Sequence, residues 1–176
     1  MKKIVALGGS NSKKSINKEL ARYTANQILN SKTIVADLNK FDLPLYGIDL
    51  ENEKGIPDNA IKLNALIEDA DGIVVSMVEH NGSYTAAFKN AIDWLSRINQ
   101  KVWKDKPMFL MSASPGARGG SSVLNTAIMA FPFFGGNIIT DFSLPSFYDN
   151  FSMEGLKNDD LNETLNKKIQ LFQEAI

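Results

Sequence analysis

The sequence contains no cysteine and only one histidine, His80, and each scarcity removes a class of chemistry. Without cysteine the chain can form no disulfide, thiolate nucleophile, iron–sulfur cluster or thiolate zinc site. A single histidine cannot build a histidine-rich metal centre. We therefore expect neither a resident metal nor a covalent thiol mechanism.

The chain also lacks an excess of either charge, with 19 basic and 20 acidic side chains. Nucleic-acid-binding proteins usually carry an excess of basic side chains, and this chain does not. No apolar run is long enough to span a bilayer, and the start, 1–4, continues into glycines and polar residues instead of the apolar core of a signal peptide. We expect a cytoplasmic protein with neither nucleic-acid nor membrane partners.

Short apolar runs alternate with segments of helical periodicity along the 176 residues. Strands are predicted near 4–7, 33–36, 72–76, 108–111 and 137–140, with helices near 17–29, 57–70, 84–97, 119–133 and 161–172. Strict alternation predicts an α/β protein with a parallel sheet and helices on both faces. The segment 38–55, which carries Pro44, Gly47 and Gly55, is expected to be irregular. No linker or repeat interrupts the pattern, so residues 1–176 are predicted to form a single domain.

The first loop, residues 8–17, joins the first strand to a helix N-terminus and reads GGSNSKKSIN. Free backbone N–H groups and the positive end of a helix dipole favour a phosphate at such a place. Ser10, Ser12 and Ser15 add hydroxyl donors, and Asn17 adds an amide. The alternative is a polar turn whose serines only cap the helix.

Three familiar site motifs are missing from the first loop. It contains neither the G-x-G-x-x-G of a dinucleotide site nor the G-x-x-x-x-G-K-[ST] of a nucleotidase. It also lacks the nucleophile elbow of an α/β-hydrolase, because Ser12 stands where the second glycine belongs. A loop of this composition can still bind a single terminal monophosphate without a metal.

The third loop (77–83) and the fourth loop (112–121) follow the third and fourth predicted strands. The third loop contains Asn81, Gly82 and Ser83, and the glycine allows backbone amides to approach a planar ligand. The fourth loop is a glycine-rich lead into a helix. Ligands of open parallel sheets bind at the carboxyl ends of the strands, so these loops and the first loop should share one site.

These motifs, in this order, resemble the NADPH-dependent FMN reductases, which include quinone, azo and chromate reductases of flavodoxin-like fold. The family's phosphate loop G-S-x-R-x-x-S-x-N is similar to residues 9–17, and its T-P-E-Y-N-x-S is similar to residues 77–83. The following L-K-N-A-I-D-W is matched by FKNAIDW at 88–94, and S-x-G-x-x-G-G by residues 114–120. The most specific of these matches is the K-N-A-I-D-W run after E-x-N.

The resemblance implies a flavodoxin-like three-layer sandwich with strand order 2-1-3-4-5. It implies non-covalent FMN, with NADPH or NADH as co-substrate and a quinone, azo compound, metal ion or free flavin as electron acceptor. The implied phosphate ligands are Ser10, Ser12, Ser15, Ile16 and Asn17. The implied neighbours of the isoalloxazine ring are Val78, Glu79, His80, Asn81 and Gly82, with Ser114 and Gly116 near its pyrimidine side. No catalytic side chain is implied, because the cofactor carries the chemistry.

The resemblance also implies a homodimer or tetramer, with the helix around 88–97 at an interface. Phe88 and Trp94 are expected in the core or at that interface. Glu79 is expected in a structural or interface ion pair, and a catalytic role is the alternative. Tyr46 and the aromatic run 147–151 are candidates to reach a neighbouring subunit.

Two positions depart from the family pattern. Ser12 replaces the phosphate-loop arginine and so removes a bidentate charge partner, which leaves Lys13 or Lys14 as replacement point charges. His80 replaces a tyrosine whose ring lies beside the flavin. These departures keep two alternatives open: an FMN-binding electron shuttle that does not oxidise NAD(P)H, and a binding or regulatory module that has lost the cofactor.

Overall fold

The computed structural model describes residues 1–152 and 154–176 and is built around one five-stranded parallel sheet. The strand order is β2-β1-β3-β4-β5. This order and the parallel pairing confirm the predicted flavodoxin-like α/β architecture. The strands are β1 (Lys2–Gly8), β2 (Ser31–Ala36), β3 (Gly72–Met77), β4 (Pro107–Ala113) and β5 (Asn137–Leu144).

Helices cover both faces of the sheet and make three layers. On one face, Leu20 of the first helix and Phe172 of the last helix pack among the buried side chains. On the other face, the third, fourth and fifth helices enclose a larger core that includes Leu63, Phe88 and Val123. The helices are α1 (Ile16–Asn26), α2 (Ile48–Lys54), α3 (Asp58–Glu68), α4 (Ala86–Ile98), α5 (Ser121–Ala130), α6 (Phe147–Asn150) and α7 (Asp159–Glu174).

The register of the sheet brings the carboxyl ends of its strands to one edge. Gly8 pairs with Ser76 of β3, and Met77 pairs with Ser112 of β4. The last pair between β4 and β5 joins Ala113 to Leu144. The first, third and fourth loops therefore leave the sheet side by side, as the alternation of strands and helices predicts.

The prediction that 38–55 is irregular is wrong, because this segment contains α2 and a short 3-10 helix, Leu38–Lys40. Helix α2 buries none of its residues, so it has no apolar periodicity for sequence reasoning to detect. Its signals are local: acidic side chains in its first turn, and Gly55 at its end with φ of 73°. A second unpredicted feature follows β5, where α6 leads into a small hairpin of β6 (Phe151–Ser152) and β7 (Gly155–Leu156).

The K-N-A-I-D-W segment lies on α4 and anchors the long connection after β2. The Trp94 side chain is fully buried, and its Nε1 donates to the Pro44 carbonyl at 2.7 Å. The Asn90 amide also donates to Pro44 at 3.0 Å, and its oxygen accepts from the Tyr46 N–H at 2.8 Å. Phe88 is buried as well, so the expectation of a core position holds for both aromatic residues.

Tyr46 lies edge-on against Trp94, with ring centroids 5.0 Å apart. Its hydroxyl donates to Glu51, which also pairs with Arg97 at 2.9 Å. Desolvation and the hydrogen bond to Glu51 raise the pKa of Tyr46. The side chain thus belongs to a polar network on α2 and α4, and its approach to a second subunit stays a prediction. No helix within the described part of the chain has the length and apolar character needed to cross a membrane.

Candidate functional site

A cavity of about 270 Å³ opens at the carboxyl edge of the sheet, between the first, third and fourth loops. An adjoining cavity of about 220 Å³ lies along the fourth loop and shares Glu79 and Ser114 with the first. The predicted residues around the larger of these two cavities are Ser10, Ser12, Ser15, Ile16, Asn17, Val78, Glu79, His80 and Ser114, while Gly116 lines the smaller one. Asn81 and Gly82 line neither cavity.

The serines of the first loop have one common arrangement. The Ser10 hydroxyl accepts from the Ser12 N–H at 2.9 Å, and Ser12 accepts from Lys14 at 3.3 Å. Ser15, the N-cap of α1, accepts from Lys18 at 3.2 Å. Each hydroxyl oxygen is therefore used as an acceptor inside the loop, while each hydroxyl proton stays available for a ligand. The capping alternative and the phosphate alternative are thus compatible at these positions.

The N-terminus of α1 adds backbone donors to these hydroxyls. Ile16 and Asn17 are the first two helical residues, so their N–H groups have no partner one turn earlier. The helix runs for eleven residues, and its dipole favours negative charge at this end. Hydroxyl and amide donors without a carboxylate among them suit a phosphate.

Gly8 allows α1 to begin directly against β1. A Cβ atom built at this glycine would lie 2.7 Å from both the backbone nitrogen and the Cα of Lys18. These atoms belong to the helix backbone and cannot move aside cheaply. The close approach of strand and helix creates the short, tight loop that carries the serines.

The Asn17 side chain, which the sequence suggested as an amide donor for a ligand, is bonded to the edge of the sheet. The side chain is 1% exposed. Its oxygen accepts from the Ser76 hydroxyl at 2.6 Å and from the Ala113 N–H at 2.8 Å, and its nitrogen donates to the Ala113 carbonyl at 2.9 Å. A role for Asn17 at a phosphate would rest on its backbone N–H.

The third loop closes on itself in a tight turn. His80 and Ser83 exchange two backbone hydrogen bonds, at 2.9 and 3.1 Å. Asn81 and Gly82 between them both have positive φ, 52° and 76°, which is the type I′ geometry favoured by Asn-Gly. This turn holds His80 at the cavity and places Asn81 and Gly82 at an exposed tip.

Glu79 connects the third loop to α5. Its carboxylate accepts from the Val123 N–H at 3.2 Å, within the first turn of α5, where the N-cap residue Gly120 has no side chain. A carboxylate at a helix N-terminus is stabilised by the free N–H groups and by the helix dipole. Glu79 is thus a helix cap rather than the ion-pair partner that the sequence suggested.

The fourth loop is held by hydroxyls at its glycines. The Gly119 carbonyl accepts from Ser112 at 2.6 Å and from Ser143 at 3.1 Å. Gly119 has φ of 60°, and a Cβ there would lie 2.3 Å from the Ser143 hydroxyl. A side chain is therefore excluded at this position. The Ser114 hydroxyl donates to the Gly116 carbonyl at 3.1 Å.

Tyr148 lines the larger of these two cavities, although sequence reasoning placed it only near a possible subunit contact. It belongs to α6, and 66% of the residue is exposed. Its ring packs edge-on against Phe147, whose side chain is buried. The sequence did offer one signal for this position: Tyr148 follows shortly after β5, and the carboxyl end of β5 lies at the same edge of the sheet as the cavity.

A larger cavity of about 370 Å³ lies beyond the first loop, between Asn11, the connection after β2, and α4. One of the amides that line it, Asn90, is already bonded to that connection. The described residues contain no cluster of His, Asp or Glu side chains suited to a metal ion. The donor groups that could hold a ligand therefore concentrate in the two cavities of the carboxyl edge.

An open parallel sheet of this order, with a loop of hydroxyl and backbone N–H donors after its first strand, defines a flavodoxin-like protein. A flavodoxin variant from Pseudomonas aeruginosa has the same fold, with a TM-score of 0.58 at 13% identity over 97% of this chain and 99% of that one. Within this class, the chain belongs to the NADPH-dependent FMN reductase family, whose model matches residues 2–149. It is accordingly an oxidoreductase that uses FMN and a reduced nicotinamide.

Individual relatives agree with this assignment. The quinone reductase of Escherichia coli K12 is 34% identical over 146 residues, which cover 77% of this chain and 78% of the relative. An NADPH azoreductase from Bacillus sp. strain OY1-2 is 30% identical over 124 residues, which cover 70% of this chain and 65% of the relative. The structure of the flavoenzyme NAD(P)H:(acceptor) oxidoreductase FerB from Paracoccus denitrificans has a TM-score of 0.81 at 23% identity. The match covers 99% of this chain and 97% of that one.

Proposed function

We propose that the chain holds FMN non-covalently in the two cavities at the carboxyl edge and reduces a quinone or an azo compound with electrons from NADPH or NADH. The acceptor class is supported by relatives described as quinone reductases and as an azoreductase. The main support for this FMN site comes from the hydrogen bonds of the first loop. They leave the hydroxyl protons of Ser10, Ser12 and Ser15 free beside the N-terminus of α1.

In this proposal the first loop binds the phosphate through Ser10, Ser12, Ser15 and the backbone N–H groups of Ile16 and Asn17. The third loop, at Val78, Glu79 and His80, and the fourth loop, at Ser114 and Gly116, border the ring. Bound FMN supplies hydride acceptance from the nicotinamide and electron delivery to the acceptor.

The protein contributes position and electrostatics rather than an acid or a base. Thr85, the N-cap of α4 just after the third loop, donates to the Gly9 carbonyl of the first loop at 2.8 Å and so joins the two regions. Glu79 fixes the third loop to α5. Such cross-links keep the two ligand-binding loops at a constant separation, which hydride transfer requires because the reacting atoms must approach to roughly 3–3.5 Å.

The test is a titration of the purified chain with FMN, followed anaerobically by NADPH and then NADH, with the flavin absorbance as readout. We expect binding and rapid bleaching, then recovery of colour on addition of a quinone or an azo dye. Binding without bleaching by either nicotinamide would instead identify an electron shuttle. Failure to bind FMN would identify a cofactor-free module and overturn the proposal.

We also propose that the chain forms a homodimer, or a tetramer of such dimers, through α4 and its surroundings. Large apolar side chains are exposed there, notably Leu45 at 82% and Phe133 at 86%. Arg97, which pairs with Glu51, lines a cavity of about 320 Å³ together with Phe133. Exposed apolar groups of this size commonly mark interaction surfaces.

The oligomer can be tested by sedimentation of Phe133→Asp, with Leu171→Asp as a matched control. Leu171 is 52% exposed on α7, on the opposite face of the sheet. We expect Phe133→Asp to be monomeric and the control to keep the mass of the parent. A parent that is itself monomeric, or a control that dissociates equally, would contradict the proposed interface.

We further infer that residues 1–176 act as one domain and that the protein works in the cytoplasm. The domain proposal is supported by the single large sheet, whose two faces carry all the helices with buried side chains. The location is supported by the co-substrate, because reduced nicotinamides are held in that compartment. Cell fractionation tests the location, and the cooperativity of thermal unfolding tests the domain.

A further inference from the structure

Three lysines surround the first loop, and the structure separates their roles. The Lys18 ammonium donates to the Asp37 carboxylate at 2.9 Å and to the Lys13 carbonyl at 3.4 Å, and its side chain is 15% exposed. This charge is already neutralised and is directed toward the end of β2. Lys18 is therefore not a counter-charge for a ligand in the cavity.

Lys13 and Lys14 are adjacent but do not occupy equivalent places. Lys14 lines the cavity together with Ser10, Ser12 and Ser15, whereas Lys13 lines none of the described cavities near the loop. The Lys14 backbone N–H donates to the Ser12 hydroxyl, which fixes the start of its side chain beside that serine. Within the described chain no carboxylate forms an ion pair with Lys14.

We propose that Lys14 supplies the positive charge that neutralises the FMN phosphate, replacing the arginine whose position Ser12 occupies. The proposal rests on the function proposed above and selects Lys14 over Lys13. The first loop otherwise provides only neutral donors, and a phosphate of nearly two negative charges gains from one full positive charge nearby. Ser12 contributes its hydroxyl and leaves room for the longer side chain.

A lysine at this place holds a phosphate by charge and not by bidentate geometry. Its ammonium is a compact, strongly hydrated charge without the rigid two-pronged geometry of a guanidinium. The exposed position also leaves the interaction open to screening by salt. Affinity for FMN should therefore fall with ionic strength, while affinity for riboflavin, which has no phosphate, should not.

The experiment compares FMN and riboflavin binding by quenching of flavin fluorescence, at low and at high salt, in the parent, Lys14→Gln and Lys13→Gln. We expect Lys14→Gln to weaken FMN binding by about tenfold, as the loss of one charged hydrogen bond predicts. Riboflavin binding should not change, and the salt dependence for FMN should flatten. The matched control Lys13→Gln should behave as the parent.

A second variant tests the replacement directly. Ser12→Arg introduced into Lys14→Gln should restore FMN affinity to at least the level of the parent, because the guanidinium takes over the charge. Circular dichroism of each variant confirms that the fold is retained. Binding of FMN by Lys14→Gln equal to that of the parent, or an equal loss in Lys13→Gln, would overturn the role of Lys14 and leave the reductase proposal standing. A parent that binds neither flavin would overturn both.

Discussion

Asn17 connects three parts of the chain that lie far apart in sequence, including Ala113, which is 96 positions away. Its side chain joins the start of α1 to Ser76 on β3 and to the end of β4. All of these groups are buried, so each polar atom depends on the others for its hydrogen bonds. A residue that looked like a ligand-binding amide therefore serves to hold the sheet edge together beneath the first loop.

Replacing Asn17 with alanine should lower the free energy of unfolding by about 3 kcal/mol, because it leaves the Ser76 hydroxyl and the Ala113 N–H without partners. Urea denaturation measures this loss. Asn11→Ala is the matched control, since Asn11 is exposed in the same loop. Equal stability of the two variants would show that the Asn17 hydrogen bonds are not required.

Tyr148 presents an aromatic ring at the cavity, where the third loop presents His80. Tyr148→Ala should weaken the binding of FMN and of riboflavin equally, by about tenfold. The reason is that the substitution removes contacts with the flavin ring and leaves contacts with the phosphate intact. Tyr148→Phe should bind both flavins as the parent does. The same fluorescence titration thus separates this residue from Lys14, and an effect on FMN alone would argue against ring contact.

At the scale of elements, the contact between β1 and α1 governs the shape of the first loop. Gly8→Ala should lower the free energy of unfolding by about 2 kcal/mol and impair FMN binding, because the new Cβ pushes the start of α1 away from the strand. Gly47→Ala is the control, since a Cβ at Gly47 meets nothing within 4 Å. Calorimetry and FMN titration of both variants check the prediction. Normal FMN binding by Gly8→Ala would mean that the loop adapts.

The ion pair between Lys18 and Asp37 joins α1 to the end of β2 and makes the stability depend on pH. Partial burial raises the pKa of Asp37, but hydrogen bonds from Lys18 and Asn39 outweigh it and hold the pKa below its usual value. The stabilisation is therefore complete above the unfolded pKa and is lost as the pH falls through the lower, folded pKa.

Asp37→Asn should consequently lower the free energy of unfolding by about 1 kcal/mol at neutral pH. The difference in stability from the parent should shrink below roughly pH 4. Urea titrations at several pH values measure it. Asp69→Asn, which breaks a more exposed pair with Lys3, should cost less. A difference for Asp37→Asn that persists unchanged in acid would contradict the ion-pair explanation.

At the scale of the whole molecule, both cores share the same sheet and should unfold together. Ile73 of β3 belongs to one core, and the next residue, Val74, belongs to the other. We expect one cooperative thermal transition by circular dichroism and by tryptophan fluorescence, shifted upward by FMN through mass action. Two separate transitions would contradict the proposal of a single domain.

Much of the molecule could be predicted from local patterns. The apolar runs and the helical stripes predicted the alternation of elements, and the motifs of three loops predicted the family. Buried strands in a parallel sheet are apolar throughout, so their signal survives in a single sequence. Helix α2 and α6 could not be found in this way, because α2 buries no residue and α6 is only four residues long.

The sequence by itself determined the composition of the first loop, the order of the strands through its family motifs, and the absence of thiol chemistry. The tertiary structure alone decided what each polar side chain does. It directed Asn17 into the sheet, Glu79 to the N-terminus of α5, Lys18 to Asp37 and Lys14 to the cavity. The reason is physical: hydrogen bonds and ion pairs depend on distances of about 3 Å between groups that the fold brings together.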